Sequence, residues 1–199
     1  MQQQQTTFNK LLPTNPAYEQ ASNYLAQGIG TNHIALGQAE HEILYTAEHE
    51  GELIGVSRLL IHPTPKKIVS YDFNTQTIQN YRTGLLAGAY IDPLFRAKHF
   101  QLNGHSLARH LSNNRIADAW SGDYHPQASP LDVLITRCRQ TSSPMYENNE
   151  QFRQAGGWID KQRGPLTYHV STKPTSNINL DEFINQHYTG PRQELKKAI

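Results

Sequence analysis

The chain has little that would tie it to a wall, a membrane or a polyanion. A single cysteine, Cys138, stands in 199 residues, so no disulfide framework can form within it, and a reducing compartment is the simple reading. Eighteen Lys and Arg against seventeen Asp and Glu leave a net charge of +1, which argues against nucleic acid as a partner. No stretch of about 18 apolar residues occurs, so a membrane partner is not expected. The first residues, MQQQQTT, offer neither a basic nor an apolar region of the kind a signal peptide needs. The expectation is a cytoplasmic protein. Charged residues make up only 18% of the chain and hydrophobic ones 37%, a balance that fits one folded domain rather than a disordered chain.

What is present alternates in period. Residues 16–28 predict a helix, with Pro16 near its start, Tyr24 and Leu25 facing inward and Gly28 as the stop. Residues 42–61 predict a β-hairpin turning at His49, Glu50 and Gly51. Residues 67–82 alternate again, and Gly84–Ile91 is a short apolar run suited to a buried strand. A helix over 104–120, a second buried strand over 131–138, a helix over 144–155 ended by Gly156-Gly157 and a last strand over 165–171 complete the pattern. Short helical stretches are expected near 180–187 and 192–197. The order predicts an α/β (α+β) domain whose mixed sheet is covered by helices. Residues 1–7 are expected to be a flexible end, 8–171 the domain and 172–199 a polar extension.

One absence is local and carries chemistry. Residues 93–117 contain no Asp or Glu but hold Arg96, Lys98, Arg109 and Arg115 with His99, His105 and His110. The stretch follows a buried strand and leads into a helix, whose first N–H groups lack intrahelical partners and carry the positive end of the dipole. A phosphate fits there, with Asn103-Gly104 letting it approach the backbone and Arg96 as a clamp. The alternative is a solvated loop before an ordinary helix. Ten histidines invite a metal reading, but His105 and His110 are five apart with no acid between them, so no zinc helix is expected. Cys138 has no histidine fixed beside it in the sequence and reads as a buried structural residue. Glu40, Glu42, Glu48, Glu50 and Glu52 are either an attraction for a cationic amine or a solvated face.

The text AYIDPLFRAKHFQLNGHSLARHL resembles the strand, loop and helix of the GNAT superfamily of N-acyltransferases, whose loop reads Arg/Gln-x-x-Gly-x-Gly/Ala. Counted from Arg96, His99 and Gln101 occupy the glycine positions, and the glycine comes only at Gly104. LDVLITRCRQTSSPMYENNEQFRQAGGW resembles the family's second strand, its tyrosine helix and its Gly-aromatic pair, with Tyr146 at the tyrosine position and Gly157-Trp158 at the pair. A weaker likeness is to the arginine N-succinyltransferase branch. The resemblance covers residues 8–170 and implies a mostly antiparallel central sheet flanked by helices. It implies acetyl-CoA or another acyl-CoA as cofactor and a small-molecule or protein amine as acceptor, with transfer by direct attack. Tyr146 would protonate the departing thiolate, a phenol being neutral at pH 7. Amides near Ala89–Ile91, with Tyr90 and Ile91 named as cofactor contacts, would meet the oxyanion. Arg96, Lys98, Asn103, Gly104, His105 and Ser106 would hold the diphosphate. Ser142 and Ser143 would bond the pantetheine arm or cap a helix. Asp92 is a candidate base, or a cap for the turn at Pro93; Glu42, Glu48, Tyr90 and a water chain are rivals. A non-catalytic module with a decayed coenzyme site is the alternative. The oligomeric state is left open, a homodimer included.

Overall fold

The structure, a computed structural model, describes residues 5–29, 41–62, 81–96, 100–139, 144–147, 149–160 and 164–188. Seven strands hydrogen-bond in the order β1-β2-β3-β4-β5-β7-β6, the mostly antiparallel mixed sheet that the sequence predicts. In chain order they are β1 (Thr6–Leu11), α1 (Tyr18–Ile29), β2 (His41–His49), β3 (Glu52–His62), β4 (Thr83–Ile91), α2 (Leu107–Ser121), β5 (Val133–Arg139), the single turn α3 (Pro144–Glu147), β6 (Arg153–Asp160), β7 (Gly164–Thr172) and α4 (Leu180–His187). No helix among the described residues is long and apolar enough to cross a membrane. The chain forms two compact units, Met1–Ile61 with Leu86–Pro130 and His62–Leu85 with Leu131–Ile199.

In the first unit, β1, β2 and β3 pair antiparallel in sequence order. The β2–β3 turn is made by Glu50 at φ 53° and Gly51 at φ 83°, the doubly left-handed pair that closes a two-residue hairpin with the right twist. Alternation along the strands then sorts their faces. Leu44 and Val56 point to α1, where they bury Leu11, Ala21 and Leu25. Tyr45 points the other way, its hydroxyl donating to Asp118 Oδ2 of α2 at 3.0 Å. Burial and the Asp118 charge push the Tyr45 phenol far above its ordinary pKa, so it stays a donor. α2 starts at Ser106, whose Oγ accepts from Arg109 N–H, and stops at Gly122, φ 90°, whose N–H donates to Asp118 O; both are standard end devices.

The second unit is the antiparallel set β5, β7 and β6 with α4 packed on it. α4 is capped by Asn179, whose side chain accepts from Glu182 N–H. Tyr81 sets its ring edge-on to Phe183 and His187 of this helix. Arg82 O accepts from Asp132 N–H and Val133 N–H, and Arg82 N–H donates to Asp132 Oδ2 at 2.8 Å.

Three differences from the sequence reading have local causes. Strand β1 is not among the predicted elements. Its burial alternates imperfectly, and it is held by pairing to β2 along one edge rather than by apolar pattern. The helix predicted over 144–155 is only one turn, Pro144–Glu147, and Arg153–Asp160 is strand β6. Gly156 does not stop a helix there: it lies in β6 under the Tyr188 ring, where a Cβ would come within 2.5 Å of Cε1. Gly28 likewise does not stop α1, which runs on to Ile29. The predicted elements within 67–80 and 192–197 lie outside the described residues.

Candidate functional site

The site is built where β4 ends. Gly88 has φ 61°, a left-handed residue inside a strand, a conformation open to glycine. Beyond it Asp92 N–H donates to Ile54 O at 2.9 Å, fastening the strand end to β3. Asp92 Oδ1 accepts from Leu94 N–H at 2.8 Å and caps the 3-10 turn Pro93–Phe95. Asp92 therefore caps the turn at Pro93. Arg96 Nε donates back to Ile91 O at 3.2 Å, with the rest of its exposed side chain at the surface. Tyr90, Ile91, Asp92 and Arg96 thus form one group around the strand end.

Tyr90 is held from the other side. Its ring lies so close over Gly28 of α1 that a Cβ there would come 2.0 Å from its Cγ. Tyr24, one turn earlier, meets it edge-on at a centroid distance of 5.2 Å.

Asn103, Gly104, His105 and Ser106 form the second group. Helix α2 begins at Leu107, later than predicted, so Asn103-Gly104 lies outside it. The pair is a turn of its own, with φ 49° and 77°, closed by reciprocal 2.9 Å bonds between Leu102 and His105. The helix amides at Leu107 and Ala108 stand just after it, behind the Ser106 cap. His110 Nε2 is 2.9 Å from Leu102 O, and His105 meets the His110 ring at 5.9 Å, so the turn is folded onto α2.

Of the predicted cations, Arg96 and Arg109 are exposed. Arg115 is not available to a ligand: it is 2% exposed and its Nη1 donates to Arg58 O at 3.0 Å. Helical spacing turns it to the sheet while Arg109 faces out. Lys98, Ser142 and Ser143 lie outside the described residues.

Sequence reasoning missed the clasp that holds this stretch. Phe95 and Phe100 stand 5.2 Å apart, edge to face. The His49 ring packs edge-on against both, at 5.6 and 5.1 Å, and its Nδ1 lies 2.9 Å from Thr6 Oγ1. His49 reads as a turn residue in the sequence, and only the pairing of β1 with β2 brings it here.

Tyr146 belongs to the second unit. It is buried, with its ring stacked on His169 at 5.7 Å and edge-on to Phe152 at 5.2 Å. His169 Nε2 lies 3.2 Å from Thr167 Oγ1, and Thr167 Oγ1 lies 3.2 Å from Cys138 Sγ. Burial pushes the Cys138 thiol up to about 11 and holds His169 down at about 4. Both are neutral at pH 7, so the row is not a thiolate–imidazolium pair, and Cys138 is buried, as expected. Of the rival bases, Glu42 is engaged with buried Arg58 at 3.3 Å, and Glu48 accepts from Asn9 Nδ2 at 3.4 Å. No group of three metal-ligating side chains occurs among the described residues.

No protein-family profile matches the chain, nor does any curated protein. Solved structures do. FeeM, an N-acyl amino acid synthase from uncultured soil microbes, superposes with a TM-score of 0.57 at 11% identity, over 86% of this chain and 93% of its own. Escherichia coli ElaA gives 0.53 at 10% identity, over 84% and 99%. A Corynebacterium glutamicum protein, described as histone acetyltransferase HPA2 and related acetyltransferase, gives 0.52 at 14% identity, over 86% and 99%. At these identities the likeness is one of fold, and none of the three singles out the arginine succinyltransferase branch.

Proposed function

Starting from the GNAT fold that this chain carries, we propose that it is an acyl-CoA-dependent N-acyltransferase, acetyl transfer being the first choice. The observation that carries the reading is the unit from β4 to α2. A strand ends, turns, and leads to the capped N-terminus of a fifteen-residue helix within a run free of Asp and Glu. The amides of Leu107 and Ala108 and the Arg96 guanidinium suit a diphosphate, by charge and by donor supply.

When bound, an acyl-CoA supplies a thioester carbonyl open to attack by an amine. The chain's part is to hold, orient and move protons. Backbone N–H groups near Ala89–Ile91 of β4 would be the donors for an oxyanion. Asp92, at the strand end, would take the amine's proton. Tyr146 would return one to the thiolate. Asn103-Gly104, closed in its own turn, favours a second reading, a binding module without turnover.

Calorimetry with acetyl-CoA and a thiol-release assay over a panel of amines test both. The expected outcome is saturable binding and thiol release. Tyr146→Phe should lower turnover on the order of 100-fold at unchanged affinity. Binding without thiol release from any amine favours the module. No heat with acetyl-, butyryl- or octanoyl-CoA ends both coenzyme readings.

A further inference from the structure

Asn103-Gly104 is the one Asn-Gly pair in the chain, and it carries a chemistry that coenzyme binding does not call on. The pair forms the tip of its turn, with φ 49° and 77°, the doubly left-handed form that asparagine and glycine enter most readily. Both residues are exposed. A Cβ built on Gly104 would meet nothing within 4 Å, so no packing shields its amide nitrogen. An asparagine followed by glycine can lose its side-chain amide, because no β-carbon on the next residue blocks that nitrogen's approach to Cγ. Every other asparagine here precedes a residue with a side chain, and Asn113 and Asn114 lie inside α2. The attack requires the chain to rotate about Asn103, and little opposes it. Leu102 and His105 form an isolated bridge, whose two 2.9 Å bonds have no ladder on either side. Exposed turns of this kind open at small cost. Leu102 O also has His110 Nε2 at 2.9 Å, so its anchor on α2 does not depend on the bridge.

We propose that Asn103 is a self-modifying site whose conversion to a carboxylate shuts off the anion-receiving end of α2. The Gly104 nitrogen gives up its proton and bonds to Asn103 Cγ. The bond from Cγ to the side-chain nitrogen breaks, and ammonia leaves with the proton. Water then opens the cyclic imide at one of its two carbonyls and leaves aspartate or isoaspartate. Either product lowers the formal net charge of +1 by one. The new carboxylate is the first acid in residues 93–117, three residues before the Ser106 cap. It brings to the positive end of the helix dipole the charge that an incoming anion would supply, and repels that anion. Isoaspartate also adds a carbon to the backbone, which the Leu102–His105 bridge cannot span unchanged. The loss of coenzyme affinity rests on the acyltransferase reading; the modification itself does not.

The test is mass spectrometry on the full chain aged in mildly alkaline buffer, where loss of the amide proton is favoured. Trypsin releases residues 99–109, in which Asn103 is the only asparagine. That peptide should gain a carboxylate faster than the peptides that hold the other asparagines. It should also become a substrate for an isoaspartyl methyltransferase. Neither change should follow in Asn103→Gln, whose longer side chain disfavours the ring. Circular dichroism confirms that the ageing chain is folded, and a urea-unfolded sample is aged beside it. Acetyl-CoA affinity, by calorimetry, should fall by roughly threefold or more in the aged chain and in Asn103→Asp. Ageing of Asn103→Gln should not lower its own affinity. Conversion at Asn103 no faster than at the other asparagines, or seen only in the unfolded sample, would overturn the proposal. Conversion with acetyl-CoA affinity unchanged removes the shut-off and leaves the modification site. A fresh chain that takes no acetyl-CoA, while Asn103 converts, ends the coenzyme reading and the shut-off together and again leaves the modification.

Discussion

His169 is the residue whose surroundings translate most directly into a measurement. It is 1% exposed and held neutral, with a folded pKa of about 4 against an ordinary 6.5. Between those values the unfolded chain takes up a proton that the folded chain refuses. The stability involved is fully present above pH 6.5, is lost as the pH falls toward 4, and changes no further below that. The span corresponds to something on the order of 3 kcal/mol. His187 is shifted the same way by burial and adds to the slope. Urea midpoints at pH 7, 5.5 and 4.5 should fall in that order, and His169→Gln should flatten the fall. An unchanged slope in the variant would place the acid sensitivity elsewhere.

At the scale of elements, the contact between α1 and β4 reverses a usual expectation. Replacing a helical glycine by alanine ordinarily stabilises by about 1 kcal/mol. Gly28→Ala should instead destabilise by about 1–3 kcal/mol, because the new Cβ falls on the Tyr90 ring. In a Tyr90→Ala background the sign should revert. Thermal denaturation of the two single variants and the double one closes the cycle. Such contacts mark the limit of what the sequence discloses. The β2–β3 hairpin and the end of α2 are readable because Glu50-Gly51 and Gly122 act on their own neighbours, whereas the start of α2 falls three residues later than predicted, at the Ser106 cap. β1 is hidden because an edge strand with Thr, Asn and Lys in it owes its shape to a partner 43 residues away, as Thr6 and His49 show. The helix misread over 144–155 fails for the same reason: Gly156 is chosen by Tyr188, and no local period records that. At the candidate site, the acid-free stretch and its helix are legible as charge pattern. The loss of Arg115 to the interior and the His49–Phe95–Phe100 clasp are not, since both depend on which face of which strand arrives opposite.

At the scale of the molecule, two compact units share the chain in alternation, and each draws on distant segments. The second needs Tyr81 for α4 and the Arg82 backbone for the entry to β5. A fragment of residues 131–199 should therefore lack stable structure. Circular dichroism and amide exchange would show it, and a cooperative unfolding transition in that fragment would refute it. The same weave has a consequence for synthesis. The first unit is chemically complete when Pro130 leaves the ribosome, while Tyr81 and Arg82 have already emerged and wait for partners that are translated later. The nascent protein thus has its first unit complete before the later segment supplies partners for Tyr81 and Arg82.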